Sequence, residues 1–305
     1  MEPAARTITA EDGTRLRVWE LEPPDADEAV LFVHGAITCS RALFAPPVPD
    51  DTSYSWLHAA MESGQAAFAV DVRGYGDSER PPELDEPPEA NDPPVRADDA
   101  AEDVQAAYEF VADRYETVHL VGVSWGTMTG GTFLSEAEPD VASATLCAPV
   151  FRPPYEFAPA MADFGVDPDL DAYVVQTREE VVERQADGDP TPVFEAIWET
   201  MVESGQGIEG QNAYLAQSGA LADVRDACAG ERIYDPGEID VPTLVIRGSA
   251  DVVSQREDAL ALYDGLSVAS DRVEYAEIGG GDHYVMHGSR RGALFDAVAA
   301  FQDRV

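Results

Sequence analysis

The chain has 305 residues, 45% of them apolar, enough to bury a sizeable core in one or two domains. Its 59 acidic and 19 basic residues give a formal net charge of −40. A field of that sign repels nucleic acid and anionic membrane surfaces, because neutralising phosphates requires cations on the protein.

Residues 7–10 and 15–20 flank Glu11-Asp12-Gly13 and read as an antiparallel hairpin. The continuous apolar run 29–33 fits a strand buried on both faces and ends at His34-Gly35. A loop with prolines at 46, 47 and 49 follows, then a helix near 53–63. A second buried strand spans 66–72. Residues 79–95 are acidic and proline-rich without periodicity, so a long loop is expected there. Apolar positions Val104, Ala107, Tyr108 and Val111 mark an amphipathic helix over 96–114. A third strand over 118–123 leads into a helix from 125 to about 136, and a fourth covers 141–148. From 149 to 239 the strand–helix alternation stops. Helical stretches such as 177–186 and 193–203 stand between prolines and glycines, which reads as a helical insertion rather than more sheet. Alternation resumes with a strand at 243–247, a helix near 255–266, a strand at 272–278 and a helix near 290–303. An α/β chain with a mostly parallel sheet follows. Residues 1–148 and 240–305 form its core, and 149–239 an inserted unit.

Cys39, Cys147 and Cys228 are too few and too unevenly spaced for a disulfide framework, and no pair has metal-ligand spacing. Reduced, buried thiols and no metal site are expected. Residues 1–10 lack the basic start and apolar run of a signal peptide, and no stretch approaches the ~18 apolar residues of a membrane span. A cytoplasmic protein without a membrane partner is the simplest expectation.

The chemistry concentrates at Gly122-Val123-Ser124-Trp125-Gly126, which closes a buried strand and opens a helix. A sharp strand-to-helix turn exposes a serine and requires small residues two before and two after it. Gly122 and Gly126 fill those places. Such a serine is a weak nucleophile at neutral pH and needs a base, with a third group to orient the base. After Ser124 the only histidines are His283 and His287. His283, in Gly279-Gly280-Gly281-Asp282-His283 just past the last strand, is the better base. Asp251, just past the strand at 243–247, is the expected acid. No carboxylate stands at Pro149, Val150 or Phe151, just past the strand at 141–148. Two backbone N–H groups, of Trp125 and of Ala36 after His34-Gly35, would hold the oxyanion. His34 precedes Ser124 and lies on that side, so it reads as a residue that orders the loop.

These features together resemble the α/β-hydrolase fold family over nearly the whole chain. The resemblance rests on five blocks in order: His34-Gly35, Asp71-Val-Arg-Gly-Tyr-Gly-Asp-Ser78, Gly122-Val-Ser-Trp-Gly126, Val241-Pro-Thr-Leu-Val-Ile-Arg-Gly-Ser-Ala-Asp251 and Gly281-Asp-His283. It implies an eight-stranded, mostly parallel sheet with 149–239 as a helical cap over the site. It also implies a structural role for Asp71–Ser78, and long loops 36–52 and 79–95 that depart from the family. The expected activity is a serine hydrolase acting on a small-molecule carbonyl substrate, first of all a carboxylic ester, with no cofactor. A proline-iminopeptidase-like amidase, a carbon–carbon bond hydrolase, a cofactor-free perhydrolase and an acyltransferase stay open. So does a small-molecule receptor with a slow or vestigial triad. Phe157, Met161, Phe164, Phe194, Ile197, Trp198 and Met201 either line an acyl pocket or form the cap's own core. Monomer and homodimer are equally compatible with the sequence.

The acidic residues are spread along the whole chain, and every basic residue is Arg. That pattern resembles proteins of halophiles that keep molar salt inside the cell, where ions screen repulsion over only ~3 Å at 1 M. The chain is therefore expected to lose structure as salt is withdrawn. Its melting temperature should climb steeply between millimolar and molar KCl, and a flat dependence in a thermal scan would contradict this reading.

Overall fold

A computed structural model describes residues 1–162, 166–183 and 191–305. Ten strands occur among them: β1 (Ala4–Thr9), β2 (Arg15–Leu21), β3 (Glu28–Val33), β4 (Ala66–Asp71), β5 (Thr117–Val123), β6 (Ser143–Cys147), β7 (Tyr173–Thr177), β8 (Ala213–Gln217), β9 (Thr243–Gly248) and β10 (Val273–Ile278). Eight of them form one sheet in the order β1-β2-β4-β3-β5-β6-β9-β10. The hairpin β1–β2 and the pair β2–β4 are antiparallel, and every other pair in this sheet is parallel. The central strands β4 and β6 are buried along their whole length, which is why they read as unbroken apolar runs.

The two-residue alternation of each strand sorts its side chains between two cores. Leu31, Phe68, Val70 and Leu120 join Val104 and Val111 of helix Ala97–Ala112 and Met128 and Phe133 of helix Trp125–Glu136. Val30, Phe32, Ala67 and Val121 join Trp56 and Leu57 of helix Trp56–Glu62 and Leu294 and Phe295 of helix Arg291–Gln302. This is the layered arrangement of helices on both faces that parallel strands demand.

Three stretches differ from the sequence expectation. Residues 36–52 contain a short helix, Ser40–Phe44, whose buried Leu43 and Phe44 face the core. The proline-rich stretch 79–95 makes two 3₁₀ turns, Pro82–Asp85 and Pro88–Ala90, each with proline at its start, where the missing N–H costs nothing. Segment 149–239 is not purely helical. Between helices Phe157–Ala162, Arg178–Glu183, Pro192–Glu203 and Gly219–Cys228 it carries a separate antiparallel pair, β7–β8. Its strands of five residues lie far apart in sequence, so no local turn announces them. Phe164 and residues 184–186 of the expected helix 177–186 lie outside the described residues. No helix among those described is long and apolar enough to cross a membrane. Cys39, Cys147 and Cys228 are free thiols, the first two buried.

Segment 149–239 is fastened to the sheet by buried polar groups. The Gly76 amide donates to Gln206 Oε1 at 2.9 Å, and Gln206 Nε2 donates to the carbonyls of Ile37 (3.2 Å) and Leu215 (2.9 Å). Asp223 accepts from Trp125 Nε1 at 2.7 Å, from the Ala97 amide at 2.9 Å and from Arg96 Nε at 2.5 Å. Burial pushes the Asp223 carboxyl up, while Trp125 and Arg96 pull it back. Removing that carboxylate leaves a buried indole N–H and a backbone N–H without acceptors, at about 1–3 kcal/mol each. Asp223→Ala should therefore lower the unfolding free energy well beyond the ±0.5 kcal/mol typical of a surface change, read as a lower urea midpoint at unchanged m. An unchanged midpoint would show that this anchor carries no weight.

Candidate active site

Strand β5 ends at Val123, and Ser124 turns the chain directly into helix Trp125–Glu136. Ser124 has φ 55° and ψ −119°, a conformation non-glycine residues rarely adopt. Such strain costs about 1–3 kcal/mol and is held by its surroundings. Here the surroundings are backbone. The Ser124 amide donates to the Cys147 carbonyl at 2.9 Å. A Cβ on Gly122 would lie 2.3 Å from the Gly126 carbonyl oxygen, and one on Gly126 would lie 2.3 Å from that of Val33. Both positions therefore have to be glycine, for the reason the motif suggested.

Strands β9 and β10 bring the two partners to the same edge. Asp251 follows β9 and His283 follows β10. The loop before His283 lies flush on the end of β9, where a Cβ on Gly248 would meet the Gly281 carbonyl at 2.3 Å. The Ala250 amide donates to that same carbonyl at 2.8 Å. Asp251 Oδ1 accepts the amides of Val253 (2.8 Å) and Ser254 (2.9 Å), and Oδ2 accepts His283 Nδ1–H at 2.9 Å. With Nδ1 protonated, Nε2 is bare, and Ser124 Oγ–H donates to it at 3.0 Å. Ser124, His283 and Asp251 thus form one continuous hydrogen-bonded chain, with its proton positions set by the carboxylate.

His34 is fully buried between Val72 and its own loop. Its Nδ1–H donates to the Gly35 carbonyl at 2.7 Å, and its Nε2 accepts the Val72 amide at 3.2 Å. Both nitrogens are used in the neutral form, and burial lowers the ring's pKa to about 4. The Gly35 carbonyl and the Ala36 N–H belong to one trans peptide, so holding the first aims the second the opposite way. Ala36 and Trp125 both line the cavity that contains Ser124. His287 spends its Nε2 on the Leu43 carbonyl at 2.8 Å, and burial lowers it to about 4 as well. Asp71 sits under the adjoining loop and accepts the Ser40 amide at 2.7 Å and Trp19 Nε1 at 3.2 Å. Burial raises its carboxyl to about 7.

The cavity around Ser124 encloses about 90 Å³. Its walls are apolar, chiefly Leu43, Val150, Met161, Val166, Leu221 and Val224. Among the described residues, polar side chains line it only from Thr38, Ser124, His283 and Tyr284, besides the Trp125 indole N–H that Asp223 already occupies, and no carboxylate or guanidinium does.

Sequence reasoning missed two supports. Arg247 lies buried inside β9 and donates to the carbonyls of Ser254 (2.6 Å) and Asp251 (2.9 Å) and to Glu277 Oε1 (2.8 Å). It ties down the turn that presents Asp251. An arginine inside an apolar strand run is itself a signal, since a buried cation must have partners. Asp223 gave none, being one of 59 acids.

A family profile described as alpha/beta hydrolase fold matches residues 28–288. Among solved structures, the chain is similar to E-2-(acetamidomethylene)succinate hydrolase, at 22% identity and TM-score 0.68, over 99% of this chain and 100% of that one. It is also similar to an esterase of Pyrococcus furiosus, at 17% identity and TM-score 0.60, over 99% and 91% of the two chains. A serine hydrolase of carbazole degradation shows 17% identity and TM-score 0.60, over 99% and 100%. No curated protein matches in sequence.

The two lowered histidines have a thermodynamic consequence. Each folded-state value of about 4 lies below the ordinary 6.5, so each contributes stability that is present above pH 6.5. That contribution is lost at about 1.4 kcal/mol per pH unit as the pH falls toward the folded value. In a histidine-labelled NMR titration His34 and His287 should stay neutral from about pH 8 to about pH 5. A midpoint near 6.5 for either ring would contradict its burial.

Proposed function

The chain belongs to the α/β-hydrolase fold family, and on that premise we propose that it is a serine hydrolase that cleaves a carboxylic ester through an acyl-enzyme on Ser124. The observation that carries the reading is the hydrogen-bonded chain from Ser124 Oγ to His283 (3.0 Å) and from His283 to Asp251 (2.9 Å). His283 Nε2 takes the serine proton as Oγ attacks the ester carbonyl, and Asp251 stabilises the imidazolium and keeps the ring oriented. The amides of Ala36 and Trp125 receive the developing oxyanion, close to the positive end of helix Trp125–Glu136. His283 then protonates the departing alcohol, and a water activated by the same ring releases the acid. Segment 149–239 acts as the cap that walls the reaction off from bulk water.

The cavity's lining favours an ester over two other carbonyl substrates. A free amino terminus, as an iminopeptidase-like amidase needs, calls for a carboxylate beside it, and a dicarboxylate calls for a cation. Neither lines the Ser124 cavity among the described residues.

A fluorophosphonate probe in molar KCl should label the wild type and fail to label Ser124→Ala. His283→Ala and Asp251→Asn should each lower ester turnover about 10³–10⁴-fold while leaving the fold intact by circular dichroism. Retention of near-wild-type turnover by either variant would show that the roles are misassigned.

A further inference from the structure

A second cavity, of about 480 Å³, adjoins the inner one around Ser124. The two share Ile37, Thr38 and Tyr284 as lining. Tyr284 follows His283 in the chain and packs edge-on to its ring, with centroids 5.6 Å apart and 83° between planes. A substrate held at Ser124 therefore has this outer cavity beside it.

The two linings differ in charge. No carboxylate lines the inner cavity among the described residues, whereas Asp282, the residue before His283, lines the outer one. Asp282 Oδ1 accepts the Tyr284 amide at 3.0 Å, which fixes the carboxylate on the loop that carries the base. His287, also in the outer lining, donates Nε2–H to the Leu43 carbonyl and is held neutral by burial. No arginine lines this cavity among the described residues, so the Asp282 charge has no counter-ion in the wall.

Much of the remaining wall is aromatic and aliphatic. Trp198 lies against Phe194 (centroids 6.3 Å, 19° between planes) and against Tyr214 (5.3 Å, 57°), with its Nε1 satisfied by Asn212 Oδ1 at 2.7 Å. These three rings line the cavity beside Ile197 and Met201. Thr191 Oγ1 is already spent on the Phe194 amide at 3.3 Å. The Arg178 guanidinium lies 5.9 Å over the Phe194 ring, but it is paired with Glu195 at 2.5 Å and does not line the cavity. Aromatic rings and an uncompensated carboxylate both attract a cation. A small hydrated ion gains little from the apolar part of such a wall. An ammonium clothed in alkyl groups gains from both parts and asks for few hydrogen-bond acceptors. Resting on the serine-hydrolase reading, we infer that the outer cavity holds an alkylated ammonium group of the ester substrate, with Asp282 as the residue that selects for it. The selection is for the charge, whichever side of the ester carries it.

Two isosteric ester pairs in molar KCl test this, each exchanging a trimethylammonium for a tert-butyl group. One is choline acetate against 3,3-dimethylbutyl acetate, and the other is glycine betaine ethyl ester against ethyl 3,3-dimethylbutanoate. For at least one pair, the cationic-to-neutral ratio of kcat/KM should be about tenfold higher in the wild type than in Asp282→Asn. Asp282→Glu should keep most of that ratio. Asparagine can still accept the Tyr284 amide, and the neutral ester makes each ratio independent of any general loss of rate. Choline should also protect Ser124 from a fluorophosphonate in the wild type but not in Asp282→Asn, while neutral 3,3-dimethylbutan-1-ol should not tell the two proteins apart. Ratios that the substitution leaves unchanged in both pairs, no protection by choline, or protection that survives the substitution overturns the inference alone. Absence of both labelling and turnover in folded protein overturns the serine-hydrolase reading as well.

Discussion

At the carboxyl edge of the sheet, backbone meets backbone with no space for a Cβ between. Gly122 lies against Gly126, Gly126 against Val33, and Gly248 against Gly281. The first closes the turn between β5 and the helix after it, the second sets that helix against the end of β3, and the third sets the end of β9 against the loop after β10. The first two fix the serine turn against the His34-Gly35 loop and the third fixes the His283 loop against β9, all through carbonyls rather than flexible side chains. A displacement of about 1 Å in such a constellation can cost about a hundredfold in rate. The rest of the site inherits its geometry from these three contacts, including the strained backbone of Ser124.

Charge is handled by a different rule inside than outside. The chain carries a surplus of 40 negative charges, yet several of its few cations are spent on interior carboxylates. Arg73 pairs with Asp103, Arg96 with Asp223, and Arg114 with Glu20, acids whose side chains are 0–3% exposed. Arginine suits this work because its planar fork satisfies several acceptors at once and cannot lose its proton. Burial raises the carboxyls of Asp103 and Asp223 even beside their arginines, and it acts likewise on buried carboxylates that lack such a partner. Asp71 and Asp258 are held only by neutral donors, and burial raises them to about 7 and about 6. Over the acid range these two act with the opposite sign to His34 and His287. A carboxyl raised above its unfolded value favours the fold while protonated and loses that advantage as the pH rises.

The fold was largely legible because its strands are continuous apolar runs with punctuation at their ends. Ser124, Asp251 and His283 drew attention in the sequence because each lies within five residues of a strand's end, and position carried more than residue type among 59 acids. His34 was read as ordering its loop, and its two hydrogen bonds show how. What escaped notice depends on long-range partners. The strands β7 and β8 pair across more than thirty residues, and Asp223 meets Trp125 across 98. Neither leaves a trace in local periodicity. The apolar residues of the insertion could not be assigned in advance to a core or to the lining of a cavity. In the structure Phe157, Met161, Trp198 and Met201 all belong to the main core, with Phe194 and Ile197 packed against it, and Met161 also lines the inner cavity while Phe194, Ile197, Trp198 and Met201 line the outer one.

Strands β6 and β9 are parallel neighbours, so the chain leaving Cys147 at one edge of the sheet has to return to the other before Thr243. Helix Gly219–Cys228 makes that return, with Ala220, Leu221, Val224 and Ala227 packed in the sheet's own core. Everything between Val150 and Ser218 is surplus to the crossover. Lengthening a connection already closed at both ends costs only about 0.6 kcal/mol per doubling. The molecule is therefore divided between a socket and a fitting. Changes within that stretch would alter the walls of both cavities while leaving Ser124, Asp251 and His283 in place on the sheet.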